Sequence, residues 1–170
     1  GSIAVLSGTA SFNRQPTPTV AVPPGLRAVS CASPVSCVAV GEHSQHFDGH
    51  AWTALGADDP SSAPDIELND VDCASATFCI AVGVSNLVMT TPVIMHWDGH
   101  AFSRAALPAL PAFPLESVDC ASPTFCMVTA TTYGGTEMLR WDGGAWSFAP
   151  TPPVYQAGAG AVSCPAVGTC

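Results

Sequence analysis

The sequence contains no lysine, and its four arginines face thirteen aspartates and glutamates, for a formal net charge of −9. Phosphate groups are bound by clustered basic side chains, so this composition excludes nucleic acid as an expected partner. It also disfavours anionic membrane surfaces. No run of about eighteen apolar residues is present, so direct insertion of this chain into a bilayer is not expected.

Motifs of the common enzyme classes are also missing. There is no Gly-x-Ser-x-Gly element of a serine hydrolase, and no Gly-rich loop, His-Arg-Asp or Asp-Phe-Gly of a protein kinase. The scattered acids single out no carboxylate pair of the kind that cleaves glycosidic bonds. The sequence therefore predicts a chain without catalytic activity of its own and without a cofactor.

The eight cysteines are arranged in four pairs, each with its members six positions apart. The pairs are Cys31 with Cys37, Cys73 with Cys79, Cys120 with Cys126 and Cys164 with Cys170. Eight cysteines allow about 105 pairings, but one pair in each repeated unit favours local disulfides. Zinc sites and Cys-x-x-Cys redox motifs use shorter spacings. Four disulfides predict an oxidising, extracytoplasmic location.

The cysteine pairs mark an internal repeat. Residues 26–55, 68–106 and 115–150 can be written one under another, each with Val-Ser-Cys or Val-Asp-Cys near its start and an aromatic-Asp-Gly segment near its end. A fourth unit is divided between residues 157–170, which match the start of the repeat, and residues 3–14, which match its end. We expect all four units to form one domain over residues 1–170.

Within each unit, short apolar runs separated by turn residues predict four β-strands in a meander, here called a to d. The cysteines close the a–b hairpin, and Asp48-Gly49, Asp98-Gly99 and Asp142-Gly143 mark the c–d turn. Units of this length predict an all-β fold, a small four-bladed β-propeller with one disulfide per blade. A β-trefoil has a similar period but closes with three units.

The fourth unit is incomplete, because its second cysteine is the last residue of the sequence. The split repeat predicts that residues 3–14 and 160–170 pair in one sheet and close the ring, since an unpaired strand exposes backbone donors and acceptors. The alternative is that a partner molecule supplies the missing strand. In that case the fourth unit is a site of self-association.

The repeated segments V-[SD]-C-x5-C-x-[AV] and [FW]-D-G-x-[AG]-[WF] resemble Cys-paired repeats of actinobacterial extracytoplasmic proteins. These include the C-terminal sensor regions of mycobacterial receptor serine/threonine kinases. The resemblance covers nearly the whole chain. It implies a cell-surface domain tethered by a transmembrane helix outside the given sequence, with any kinase activity in a separate cytoplasmic domain.

Three sets of side chains are candidates for a functional site. Asp70, Asp72 and Asp119 precede first cysteines or lie close to them, where strand a lines the channel of a propeller. They could hold a cation there, with Ser30 and Ser163 completing the ring, or they could hydrogen-bond neighbouring blades.

His43, His46 and His50 cluster around one turn and are weaker candidates for metal ligands. The third unit has Arg140 and Gly144 at the positions equivalent to His46 and His50, so these positions vary between units. The third set is aromatic and recurs in every full unit: Phe47, Trp52, Trp97, Phe102, Trp141 and Trp146. Regular recurrence favours packing between blades over an exposed sugar-binding platform. We expect Trp97 and Trp141 to be largely buried.

These observations favour a sensor or interaction domain of a membrane-anchored signalling protein, binding an extracellular ligand or protein. The alternative is a secreted carbohydrate-binding module or hydrolase. Convergent acids and exposed tryptophans in a pocket would favour the alternative.

Overall fold

A computed structural model describes residues 25–56, 59–86, 90–132, 134–150 and 160–170, together with the backbone of residues 2–7 and 11–16. The described part is all-β apart from one turn of 3-10 helix at Pro60–Ser62. No helix in it is long and apolar enough to cross a membrane.

Three four-stranded antiparallel sheets dominate the structure, and each is a meander of consecutive strands. Unit 1 consists of β3 (Leu26–Ser33), β4 (Ser36–Gly41), β5 (Gln45–Phe47) and β6 (Trp52–Ala54). Unit 2 consists of β7 (Ile66–Ser75), β8 (Phe78–Ser85), β9 (Thr91–Trp97) and β10 (Phe102–Arg104). Unit 3 consists of β11 (Leu115–Ser122), β12 (Phe125–Thr132), β13 (Gly135–Trp141) and β14 (Trp146–Ala149). In each unit the four strands are a, b, c and d in chain order.

The four predicted disulfides are present, and each lies within its own unit. In the three sheets the paired cysteines are directly opposed on strands a and b, with Cα atoms 3.9 to 4.0 Å apart. A tight turn of two residues between strands a and b brings them opposite each other. All eight cysteines are therefore bonded, and none is available as a nucleophile.

Strand b of each unit is buried on both faces, which explains its continuous apolar sequence. In unit 2, Cys79 and Ala81 face Val38 and Val40 of unit 1. On the opposite face of the same strand, Ile80 and Val82 pack against unit 3. The core therefore lies between the sheets, as in a β-propeller, and each interface joins neighbours in the sequence.

Strand a carries the same irregularity in all three sheets. The register shifts by one residue near the start of β3, β7 and β11, so that Arg27, Asn69 and Glu116 have no partner on strand b. Such a bulge increases the local twist and redirects a side chain. In two units strand b has a glycine beside this point, Gly41 and Gly83, and a Cβ on Gly83 would lie 2.0 Å from the Glu67 carbonyl oxygen.

The two parts of the fourth unit are described separately. β1 (Ser2–Ser7) and β2 (Ser11–Pro16) form an antiparallel hairpin, which is a two-stranded sheet of its own. Residues 160–170 carry the fourth disulfide and a single bridge between Ala166 and Thr169. Within the residues described, no ladder joins the two segments, and their pairing in one blade stays a prediction.

Candidate functional site

The aspartates predicted to line the channel connect neighbouring units. Ser30 accepts a hydrogen bond from the backbone N–H of Cys73, 3.0 Å away, and donates to Asp72 Oδ1 over the same distance. Asp72 Oδ2 in turn accepts from the N–H of Cys120 at 2.8 Å. The residue before each first cysteine thus binds the first cysteine of the next unit.

The third member of this series is Asp119, which accepts a hydrogen bond from the backbone N–H of Cys164. Burial raises the pKa of Asp119, and the negative charges of Asp72 and Asp70 raise it further, against the opposing effect of the Cys164 N–H. The three carboxylates are therefore close enough to interact electrostatically. Their shared neighbourhood is the inner edge of units 2 and 3.

Asp70 lies two residues before Asp72 and makes a second connection between the same units. Its Oδ2 accepts from the hydroxyl of Ser117 and from the N–H of Val118, both at 2.9 Å. Its Oδ1 accepts from the N–H of Val71, also at 2.9 Å. Carboxylates occupied in this way hold the units together. Among the described residues, no group of three or more potential ligands is arranged to hold a metal ion.

The residues at the strand-a bulges form a second set of contacts between neighbouring units. Arg27 donates to Asn69 Oδ1 at 2.7 Å and forms an ion pair with Glu67 at 2.8 Å. Asn69 passes the connection on by donating to the carbonyl oxygen of Leu115 at 2.8 Å. These residues went unnoticed in the sequence, because their special position depends on the bulge.

The three candidate histidines of unit 1 do not converge. His43 lies in the loop before strand c, and His50 is exposed in the c–d loop beyond it. His46 lies between them on β5, and its ring packs on Trp97 of unit 2 with the ring centroids 5.2 Å apart. Burial lowers the pKa of His46, partly offset by the nearby Asp48. The structure therefore gives His46 a place in an interface.

The c–d turn is built in the same way in all three units. Asp48 Oδ1 accepts hydrogen bonds from the backbone N–H groups of His50 and Ala51, both at 2.9 Å, and Gly49 has a φ of 92°. Asp98 and Asp142 make equivalent bonds. These backbone donors lower the pKa of all three aspartates. The aspartates are thus turn residues, as the Asp-Gly pattern indicates.

The repeated aromatic residues form one pair in each unit, directly opposed across strands c and d. Their ring centroids are 5.4 Å apart for Phe47 and Trp52, 5.3 Å for Trp97 and Phe102 and 5.5 Å for Trp141 and Trp146. Five of the six side chains are buried. Packing, and not an exposed sugar-binding platform, is therefore their role.

The exception is Trp141, which is partly buried and packs against the core between units 2 and 3, whereas Trp97 is 1% exposed. The ring contacts of the strand-c histidines differ between units 1 and 2, as does the residue before the second cysteine. In unit 2 this residue is Phe78, whose ring contacts His96 at 4.8 Å. In unit 1 it is Ser36, and the equivalent His46 packs on Trp97 of unit 2.

A cavity that the sequence did not reveal lies at the end of units 2 and 3 opposite the Asp-Gly turns. It has a volume of about 560 Å³. Its described lining is Thr90, Pro111, Ala112, Phe113, Pro114, Thr131, Thr132 and Gly134. None of these residues is charged, and they come from three separate loops or strand ends. The one signal in the sequence is the proline-rich connection between units 2 and 3.

Comparison with known proteins agrees with this architecture. The solved structures to which the chain is similar include two of YCF48. YCF48 from Cyanidioschyzon merolae has a TM-score of 0.54 at 15% identity, with 72% of this chain and 39% of that chain covered. A structure described as YCF48 bound to D1 peptide has a TM-score of 0.51 at 17% identity, covering 83% and 45%. Both neighbours are β-propellers.

The fold of this chain is a β-propeller. At these identities the likeness shows the fold alone, and the matched part spans less than half of each neighbour. No protein-family model and no curated protein matches the sequence. The four disulfides indicate an oxidising, extracytoplasmic environment for this propeller.

Proposed function

We propose that the chain is a non-enzymatic, extracytoplasmic interaction module that binds an extended peptide segment of a partner protein. The cavity at the end of units 2 and 3 carries this proposal. Its size is within the range of pockets that bind small ligands, and its walls combine apolar groups with threonine hydroxyls. One of the neighbours of the same fold is described as bound to a peptide.

The chemistry of the lining defines the class of peptide. Thr131 donates to Glu116 at 2.9 Å, and Thr132 donates to the carbonyl oxygen of Gly135 at 2.9 Å, so both hydroxyls have partners within the chain. Contact with the ligand is then mainly apolar, through Pro111, Ala112 and Phe113. A chain of net charge −9 favours neutral or basic peptides over acidic ones.

The experiment is selection of a displayed library of linear twelve-residue peptides on the immobilised, oxidised chain. Peptides with small apolar residues and proline should be enriched. Ala112→Trp fills the cavity from an exposed position and should weaken binding of a selected peptide at least tenfold. Ala101→Trp, an exposed alanine in the c–d loop at the opposite end of unit 2, is the matched control. Equal binding to both variants would contradict the proposal.

The cysteine pattern supports a more specific role, as the sensor region of a membrane-tethered receptor kinase of actinobacterial type. In that arrangement the peptide is the extracellular signal, and the propeller presents it at the cell surface. The full-length gene tests this role directly. It should encode a transmembrane helix and a cytoplasmic kinase domain on the same polypeptide.

A further inference from the structure

The two threonines at the end of strand b in unit 3 form one wall of the cavity, and both use their hydroxyl protons within the chain. Thr131 donates to Glu116 Oε2, and Thr132 donates to the carbonyl oxygen of Gly135, each over 2.9 Å. A hydroxyl group has one proton to donate and two lone pairs that accept. The side-chain oxygens that this wall offers to a ligand are therefore acceptors, and the ligand group that binds them has to be a donor.

The carboxylate of Glu116 borders the same wall. It holds the hydroxyl of the lining residue Thr131, and it follows another lining residue, Pro114, by two positions in the chain. Glu116 is the bulge residue of unit 3, without a partner on strand b, and its side chain is half-buried. A ligand group that reaches the hydroxyl of Thr131 therefore also comes within reach of this carboxylate.

The negative charge of Glu116 is not matched by a neighbouring cation. Within the part of the chain that the structure describes, the ion pairs join Arg27 to Glu67 and His50 to Asp48, and Glu116 takes part in neither. The bulge residue of unit 1 is itself an arginine, and it gives Glu67 a charged partner at 2.8 Å. In unit 3 the bulge carries the carboxylate, and the partner of that carboxylate is the neutral hydroxyl of Thr131.

We propose that Glu116 and Thr131 select an arginine side chain of the bound peptide, an inference that rests on the function proposed above. The guanidinium group donates to the free carboxylate oxygen of Glu116 and to the hydroxyl oxygen of Thr131. The methylene stem of the arginine packs on the apolar lining. The peptide residues next to the arginine are proline or small apolar residues, which contact Pro111 and Phe113.

The chemistry of the two acceptors favours arginine over lysine. A guanidinium group is planar and presents five N–H donors in a fixed fork, so it can bind two neighbouring acceptors at once. A lysine ammonium group is more strongly hydrated and loses more of its hydration on entering a partly apolar cavity. An acidic side chain would meet a like charge at Glu116 and would have no donor for Thr131.

The test uses a synthetic copy of the most enriched peptide from the library selection, acetylated so that its amino terminus carries no charge. This peptide should contain arginine beside proline or a small apolar residue. Citrulline in place of arginine keeps the shape and removes the charge, and should weaken binding about tenfold or more, as expected for a hydrogen bond to a charged group. Lysine in the same place should weaken binding less than citrulline. Isothermal titration calorimetry on the oxidised chain measures all three peptides.

Glu116→Gln provides the matching change on the protein. It retains an acceptor for Thr131 and removes the charge, so it should bind the arginine peptide as weakly as the wild type binds the citrulline peptide. Its affinity for the citrulline peptide should stay unchanged. Glu42→Gln, at an exposed position just after strand b of unit 1, makes the same change in net charge and should bind like wild type. Equal melting temperatures of the two variants confirm that the fold is retained.

The outcomes separate this inference from peptide binding as such. Equal binding of the arginine and citrulline peptides, or equal effects of Glu116→Gln and Glu42→Gln, would overturn the role of Glu116 and leave a peptide site in the cavity. A peptide that binds only with a free amino terminus would also overturn it, since the bound cation would then be the terminus. A selection that enriches no peptide, or enriched peptides that bind Ala112→Trp as tightly as wild type, would contradict the proposed function and this inference together.

Discussion

Asp72 Oδ2 accepts a hydrogen bond from the backbone N–H of Cys120, joining strand a of unit 2 to strand a of unit 3 over 2.8 Å. The same carboxylate accepts from Ser30 of unit 1, so one side chain spans three units. The order of the array therefore depends on a few polar contacts as well as on its apolar interfaces.

Asp72→Ala should destabilise the domain by about 1 to 3 kcal/mol, because it leaves the backbone N–H of the buried Cys120 and the hydroxyl of Ser30 without an acceptor. Asp72→Asn retains one acceptor oxygen and should lose less. Denaturant unfolding measures both. Glu42→Ala removes an exposed carboxylate and should change the free energy of unfolding by less than about 0.5 kcal/mol. An unchanged free energy of unfolding in Asp72→Ala would mean that this contact makes no net contribution to stability.

Gly83→Ala should cost about 1 to 3 kcal/mol or more, since the added Cβ would lie 2.0 Å from the backbone oxygen of Glu67. The backbone on that side belongs to the bulged strand and cannot move aside without breaking its ladder. Gly160→Ala is the control, because nothing lies within 4 Å of the added atom. If thermal unfolding shifts equally in both variants, close packing at the bulge is not the reason for glycine.

Trp97→Ala should cost about 3 to 5 kcal/mol, the range for a large buried aromatic side chain, and Trp141→Ala should cost clearly less. Trp97 is 1% exposed and is covered by His46, whereas Trp141 is half-buried. Denaturant unfolding of the two variants gives the comparison. Equal costs would show that the ring of His46 adds no protection.

The stability of the domain should fall as the pH drops below about 6.5, where unperturbed histidine takes up a proton. Because burial lowers the pKa of His46 and of His96 in the folded state, the unfolded chain binds protons first. Each histidine makes its full contribution to stability above its pKa in the unfolded chain. This contribution is lost as the pH falls from that value to the lower pKa of the folded state.

Melting temperatures between pH 7.5 and pH 5 provide the measurement. His46→Phe should reduce the slope and His50→Gln should not, since the His50 side chain is 91% exposed. If His46→Phe leaves the slope above pH 5 unchanged, His46 does not titrate differently in the two states.

The strands, the disulfides and the turns could be predicted from the sequence because they depend on neighbours in the chain. Cys73 and Cys79 lie opposite each other since a two-residue turn separates their strands, and Asp98-Gly99 requires only its own backbone. The alternative role given to Asp72, hydrogen bonding to neighbouring units, is the one that the structure shows.

Features that depend on two units at once could not be predicted in this way. The ring contact of His46 with Trp97 joins units 1 and 2, and neither unit alone indicates it. Asn69 lies at the bulge of strand a in unit 2, and its contacts join Arg27 of unit 1 to Leu115 of unit 3. The cavity near Phe113 combines loops from different parts of the chain, and none of those loops carries a recognisable motif.

The hydrogen bonds from first cysteines to the preceding acceptors all point in one direction along the array. Each unit therefore has an acceptor side and a donor side, and a duplicated copy inserted between two units would meet a backbone donor on one side and a side-chain acceptor on the other. A gene of this design can gain or lose blades in whole steps. Its ring size is then open to selection while the connector between blades stays constant.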